Sequence, residues 1–179
     1  GNVTFTQEDS SSPTVIEAVI EGLSPKAKQG FHVHQTANFT NGCVSAGPHF
    51  NPTNKPHGDP RSEERHAGDM GNLVADSKGV AYYKEVDPYM TMFGANSIIG
   101  RSCMVHQDED DLGKGGHNDS KTTGHAGARL ACAEIIEGTL ESNGSAGFLW
   151  KFSLLIVIGG AFYYFCVHRT EKRYAVLED

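Results

Sequence analysis

Cysteine is scarce, with four residues in a chain of 179. That is too few for a disulfide-built scaffold, and a chain of this length does not need one. Positive charge is short as well: 15 Lys and Arg stand against 22 Asp and Glu, a formal net charge of −7. A nucleic-acid binder resting on a basic surface is thereby excluded, because phosphate affinity needs an excess of Lys and Arg. Hydrophobic residues make up only 38 %, while Gly contributes 21 residues and Pro 7. So many turn formers suit an all-β, loop-rich fold and argue against a helical bundle. What is present in excess is histidine. There are nine, eight of them before residue 147, set among Gly, Pro and Asp.

The C-terminal part differs in kind. Phe148 to Val167 reads FLWKFSLLIVIGGAFYYFCV, 20 residues with one charge, Lys151, near an end where it can snorkel. Trp150 lies near one boundary and Tyr163 and Tyr164 near the other, as in an aromatic belt. The expectation is one transmembrane helix over 148–167; a buried core helix is the alternative reading. Arg169, Lys172 and Arg173 follow the run, whereas Thr139 to Gly147 carries no Lys or Arg. That asymmetry predicts a cytoplasmic tail (168–179) and an outside domain (1–137), joined to the span by a Gly/Ser linker (138–147). Four N-x-S/T sequons, at Asn2, Asn38, Asn118 and Asn143, agree with a glycosylated, extracellular, single-pass type I arrangement at the plasma membrane. No signal peptide is visible ahead of Gly1, as expected for a removed leader or a fragment.

Within the first part, short alternating apolar runs predict strands at 3–6, 14–20, 31–34 and 98–106, a hairpin pairing 72–75 with 80–86, and a last strand at 130–136. Of two long loops, 35–70 is rich in Gly, Pro, Asn and His, and 107–128 is polar and contains DEDDLGKGG. Strands of this spacing suggest a β-sandwich or barrel. Loops this long inside such a domain are functional or are held by something other than a core.

The histidines supply what could hold them. His32-Val33-His34 on a strand projects two imidazoles from one face, a two-ligand comb for a metal, although a lone HxH is as readily two surface histidines. His49, His57, His66 and Asp69 follow within 21 positions and make an N₃O donor set suited to a closed zinc site. Metal binding would order the loop. His106, ending another strand, can join His32 and His34 in an imidazole-only site, a donor set suited to copper.

The blocks GFHVHQTANFTNGCVSAGPHFNP, HGDPRSEERHAGDMGN, IIGRSCMVHQDEDDLGKGG and GHAGARLAC resemble the signature segments of the copper/zinc superoxide dismutases, from about Gly1 to Ile136. This resemblance implies a Greek-key β-barrel or sandwich, an architecture that family shares with immunoglobulin domains. It implies copper and zinc as cofactors and superoxide as a small anionic substrate, dismuted to dioxygen and hydrogen peroxide. It places copper on His32, His34, His49 and His106, and zinc on His49, His57, His66 and Asp69, so that His49 bridges the two. Asp110 matches the carboxylate that links His32 to His57, and Cys43 and Cys132 match the family's disulfide. Arg129 matches the arginine beside the copper channel, where a guanidinium attracts an anion. Lys114 and Lys121 would add to that local field despite the acidic net charge. A non-catalytic metal-binding or adhesion module on the same fold is the alternative, and it would be favoured by a missing ligand. A copper chaperone would carry CxC or CxxC, and neither occurs.

Some positions depart from the family pattern. A strand that the family places ahead of VTFT is absent, so an unpaired sheet edge is expected there. His117 and His125 lie in the second long loop, as solvated side chains or as aids to anion guidance. The resemblance implies an apolar dimer contact made by the last strand and the loop around Ala37–Asn38, and Ile99 and Gly100 still match that interface. Glu134, Glu137 and the Asn38 sequon oppose it, leaving dimerisation open. Cys103 reads as a free core thiol, and Cys166 as inert or palmitoylated.

Overall fold

A computed structural model describes residues 1–138, together with 156–158, 161–163 and 173–176. It is an antiparallel β-sandwich. The strands are β1 (Asn2–Gln7), β2 (Thr14–Ile20), β3 (Lys28–His34), β4 (Thr40–Cys43), β5 (Asp69–Val74), β6 (Ala81–Asp87) and β7 (Ser102–His106). After a short helix α1 (Ser120–Thr123) come β8 (Arg129–Glu134), β9 (Ile136–Gly138), β10 (Ile156–Ile158), β11 (Ala161–Tyr163) and β12 (Arg173–Val176). One sheet has the order β6-β2-β1-β12-β9 and the other β5-β3-β7-β8.

The alternation in the sequence decides which faces meet. Val3 and Phe5 of β1 and Ile16 and Ala18 of β2 point inward against Phe31 and Val33 of β3 and Cys103 and Val105 of β7. Each large apolar side chain buried there contributes about 1.5–3 kcal/mol. Phe31 meets the edge of Tyr83 at 5.4 Å between ring centroids. Cys103 is a free, buried thiol whose pKa burial pushes up. The outer face of β3 carries His32 and His34, and these are buried as well. Gly30 is what lets that happen: a Cβ there would lie 2.7 Å from Ala126 Cβ and 3.1 Å from His32 Cε1.

Several expectations are corrected. Residues 72–75 and 80–86 pair only at their base, through the antiparallel bridge Ala75↔Ala81, before β5 joins the sheet of β3 and β6 the sheet of β2. Leu73 and Ala81 both face the core, from opposite walls, and Asp76 turns the corner by accepting from the Lys78 and Val80 amides. The strand expected at 98–106 starts only at Ser102, because Gly100, at φ 77°, makes a turn first. The last strand is interrupted at Ile135, where the chain passes from one sheet to the other.

The C-terminal expectations fare differently. Among the described residues no helix is long and apolar enough to cross a membrane. Inside the run expected to be helical, β10 and β11 pair instead as antiparallel strands. Their β-branched and aromatic residues favour strand. The rest of 148–167, the linker with Asn143, and Cys166 lie outside the described residues. The edge of β1 is not open, for β12 pairs with it through Thr4↔Val176 to Gln7↔Arg173 and with β9 through Tyr174↔Gly138. Part of the expected tail thus shares a sheet with the expected outside domain.

Candidate metal centre

Three elements bring the site together. β3 presents His32 and His34, and β7, antiparallel beside it, ends on His106. The first long loop folds back over this face. It is tied down where the Phe50 amide donates to Val33 O (2.8 Å) and the Val33 amide to Gly68 O (2.9 Å). His49 then reaches His34 through an isolated bridge.

The imidazoles converge in two groups. Nitrogens of His32, His34, His49 and His106 all lie within 4.8 Å of one another, and so do donor atoms of His32, His49, His57 and Asp69. Asp69 Oδ1 sits 2.9 Å from His49 Nδ1, 3.0 Å from His57 Nδ1 and 3.2 Å from His66 Nδ1. His49 faces both groups, its Nδ1 toward Asp69 and its ring stacked on His32 at 4.0 Å.

Neighbouring acceptors set the direction of each lone pair. His34 Nδ1–H donates to Gly47 O (2.8 Å), which turns the Nε2 lone pair toward His106 Nε2, 3.2 Å away. Asp110 accepts from His32 Nε2 and His57 Nε2, each at 2.8 Å, so both rings turn Nδ1 into the site. His32 Nδ1 and His49 Nε2 are buried without a hydrogen-bond partner, and His57 Nδ1 meets the Asp69 carboxylate at 3.0 Å. A buried orphan of this kind costs about 1–3 kcal/mol. Two of them beside that carboxylate are lone pairs a cation would take up. Carboxylate-oriented imidazoles are how proteins hold such ligands.

Burial lowers the pKa of His32 to about 3, of His34 to about 2 and of His106 to about 4, against an ordinary 6.5. His49 is lowered for the same reason. Burial also acts on His57, but hydrogen bonds to Asp110 and Asp69 outweigh it and hold this imidazole up at about 9. In the metal-free protein the four lowered imidazoles stay neutral when folded and take protons on unfolding below about pH 6.5. The unfolded state then binds more protons, so stability falls with falling pH. His57 has the opposite sign: its contribution is present below its unfolded pKa and is lost as pH rises through about 9. Four outweigh one. The metal-free protein is expected to melt lower at about pH 5 than at about pH 7. A melting temperature equal at both would show these imidazoles to be charged in the fold.

A sequence model of the copper/zinc superoxide dismutase family matches residues 1–135. The chain belongs to that family. It is 55 % identical over 135 residues to a superoxide dismutase (Cu-Zn) of Candida albicans, covering 75 % of this chain and 88 % of the relative. To the superoxide dismutase (Cu-Zn) of Yarrowia lipolytica (strain CLIB 122 / E 150) it is 53 % identical over 135 residues, with the same coverage of 75 % and 88 %. The family's metals, copper and zinc, suit the two donor groups, one all-imidazole and one with a carboxylate.

The remaining residues singled out in the sequence fall around this centre. Cys43 and Cys132 are joined by a disulfide, with Cα atoms 5.7 Å apart. Half-buried Arg129 donates to Cys43 O, Val44 O and Gly47 O, and its charge acts on His34 and His106. Lys114 is paired with Asp59 at 3.1 Å. Asn2, Asn38 and Asn118 are exposed.

Other contributors lie inside the signature blocks, but their residue type does not announce their role. Buried Arg65 donates to the carbonyls of His66 and Asp69 and pairs with Asp87 at 2.6 Å, bracing the loop that carries His66. Its partner lies 22 positions away, so proximity in sequence could not suggest it. Asn72 exchanges two hydrogen bonds with the Asp110 backbone, both 2.8 Å. Gly124, at φ +65°, leaves room for the Asp110 bridge: a Cβ would strike Asp110 Oδ1 and stand 2.6 Å from His57 Nε2. Gly124→Ala is expected to cost about 1–3 kcal/mol in backbone strain alone. By displacing Asp110 it should weaken zinc about 10–100-fold. Zinc competition against a chromophoric chelator checks this; unchanged affinity would mean that Asp110 does not hold His57.

Proposed function

We propose that the chain converts two superoxide anions and two protons into dioxygen and hydrogen peroxide, with copper held by His32, His34, His49 and His106. Zinc is held by His49, His57, His66 and Asp69. The observation that carries this reading is His49, buried between the two donor groups with Nδ1 on the Asp69 side and an orphaned Nε2 on the other. Copper, when bound, would supply the one-electron exchange between the two superoxide anions. The chain supplies the rest. Arg129, fixed by three carbonyls, presents a cation beside His34 and His106, where it draws in and orients a small anion. His49 Nε2 holds a proton between the two half-reactions and delivers it to the nascent peroxide. Asp110 keeps His32 and His57 in the tautomer whose Nδ1 faces inward. Protein loaded with both metals should accelerate superoxide decay, and removal of copper by a chelator should abolish the effect. Acceleration that survived copper removal would overturn the reading.

The enzyme works, in this reading, at the outer face of the plasma membrane. Support comes from the 20-residue apolar run, the basic residues after it and the four sequons. The strand pairing sets a condition on the topology: a single type I crossing, with the tail inside, requires β12 to leave β1, because strands cannot pair across a bilayer. Protease added to intact cells is expected to release an active domain by cutting between Glu137 and Gly147. Protection of the domain, with the 168–179 tail accessible, would invert the orientation. The released domain should be monomeric or weakly dimeric, since Glu134 is an exposed carboxylate on the strand that would meet a symmetry mate.

A further inference from the structure

His117, Asp119 and His125 flank α1 and belong to neither donor group of the metal centre. The rings of His117 and His125 stack with centroids 3.8 Å apart and planes 10° apart. His125 takes φ 53°, in the left-handed region that side chains other than glycine seldom occupy. Its Nδ1 lies 2.8 Å from Asp119 Oδ1. Both histidines are exposed.

The carboxylate contact decides the chemistry of His125. With Nδ1–H donated to Asp119, the lone pair is left on Nε2, facing solvent beside a second imidazole. A carboxylate behind an imidazole is the arrangement that orients histidine ligands in metal sites. Imidazole pairs suit zinc, copper(II) and nickel better than they suit magnesium or calcium. Parallel stacked rings share no coordinating plane, so the exposed His117 ring has to turn about its side-chain torsions toward Nε2 of His125, whose Nδ1 stays on Asp119.

We propose that His117 and His125 form a peripheral site for a divalent d-block cation, with Asp119 orienting His125 and water completing the shell. The site reaches the metal centre through the backbone. His117 precedes α1 and His125 follows it, so one ion would tie both ends of the segment. Within it, Lys121 O accepts the His57 amide (2.8 Å), and Gly124 lies against Asp110. An ion bound here would brace the loop that backs His57.

The test starts from protein already carrying its copper and zinc and titrates it with further Zn²⁺ under calorimetry. One additional equivalent is expected to bind. Affinity should fall at least tenfold in His117→Asn and in His125→Asn, and about tenfold in Asp119→Asn, the cost typical of losing an outer carboxylate partner. Added Cu²⁺ should show nitrogen hyperfine structure from that equivalent, absent in the two histidine variants. Copper and zinc content of the main sites serves as the folding control and should not change. Failure of the parent to take up an extra equivalent would overturn the proposal, as would an extra equivalent that persists in both histidine variants.

Discussion

His49→Ala is expected to abolish dismutation and to lower zinc and copper together. His49 is the residue that turns one ring nitrogen to Asp69 and the other into the all-imidazole group. In the proposed site, removing it would take a ligand from each metal and the proton-holding atom from the reaction. It also leaves Asp69 with two imidazole neighbours where three had surrounded one oxygen. Loss of an outer-shell partner already costs about 10–100-fold in metal affinity, so loss of a direct ligand should exceed about 100-fold for each metal. His106→Ala is the comparison. His106 approaches His34 at 3.2 Å and belongs only to the all-imidazole group. Copper and activity should be lost while zinc stays. Metal analysis of both variants decides: equal loss of both metals in both proteins would refute the bridging role.

Breaking the Cys43–Cys132 bridge should have the largest effect on stability. The bridge closes 89 positions, and the chain-entropy relation gives about 4–5 kcal/mol for a loop of that size, an upper value because native strain subtracts from it. That is a large share of the roughly 5–15 kcal/mol by which a domain is stable. The local effect is separate. Cys43 O and Val44 O accept from Arg129, so the bridge fixes the backbone that holds this guanidinium. Cys132→Ser is therefore expected to lower the melting temperature by tens of degrees and to raise KM more than it lowers kcat. Chemical denaturation measures the first effect and superoxide-decay kinetics the second. A variant with parental stability, or one in which kcat alone fell, would contradict this account.

Sequence legibility tracked locality. The HVH comb could be read because a strand's period of two is a local property, and β3 does set His32 and His34 on one face. The strands expected at 3–6 and 14–20, now β1 and β2, were legible for the same reason. The donor types in His49, His57, His66 and Asp69 carried their chemistry with them, and the signature blocks carried the family. The disulfide was legible only through that resemblance, because spacing alone leaves its pairing open.

Tertiary structure decided what depends on partners far apart in the chain. The path from β5 to β6 looks like a hairpin locally, yet Leu73 and Ala81 are drawn to opposite walls of one core. The run over 148–167 has the length and hydropathy of a span, but the same β-branched and aromatic residues can pair as strands. Their described pieces, β10 and β11, do so. The edge of β1 is closed by Arg173–Val176, since unpaired amides and carbonyls accept any extended backbone that reaches them. Arg65, Asn72 and Gly124 lie inside the signature blocks, but their roles arise only where loops from distant parts of the chain meet at Asp69 and Asp110. The ligand types were therefore a property of the sequence. Their convergence, and the orphaned nitrogens that mark where metal belongs, were a property of the packing.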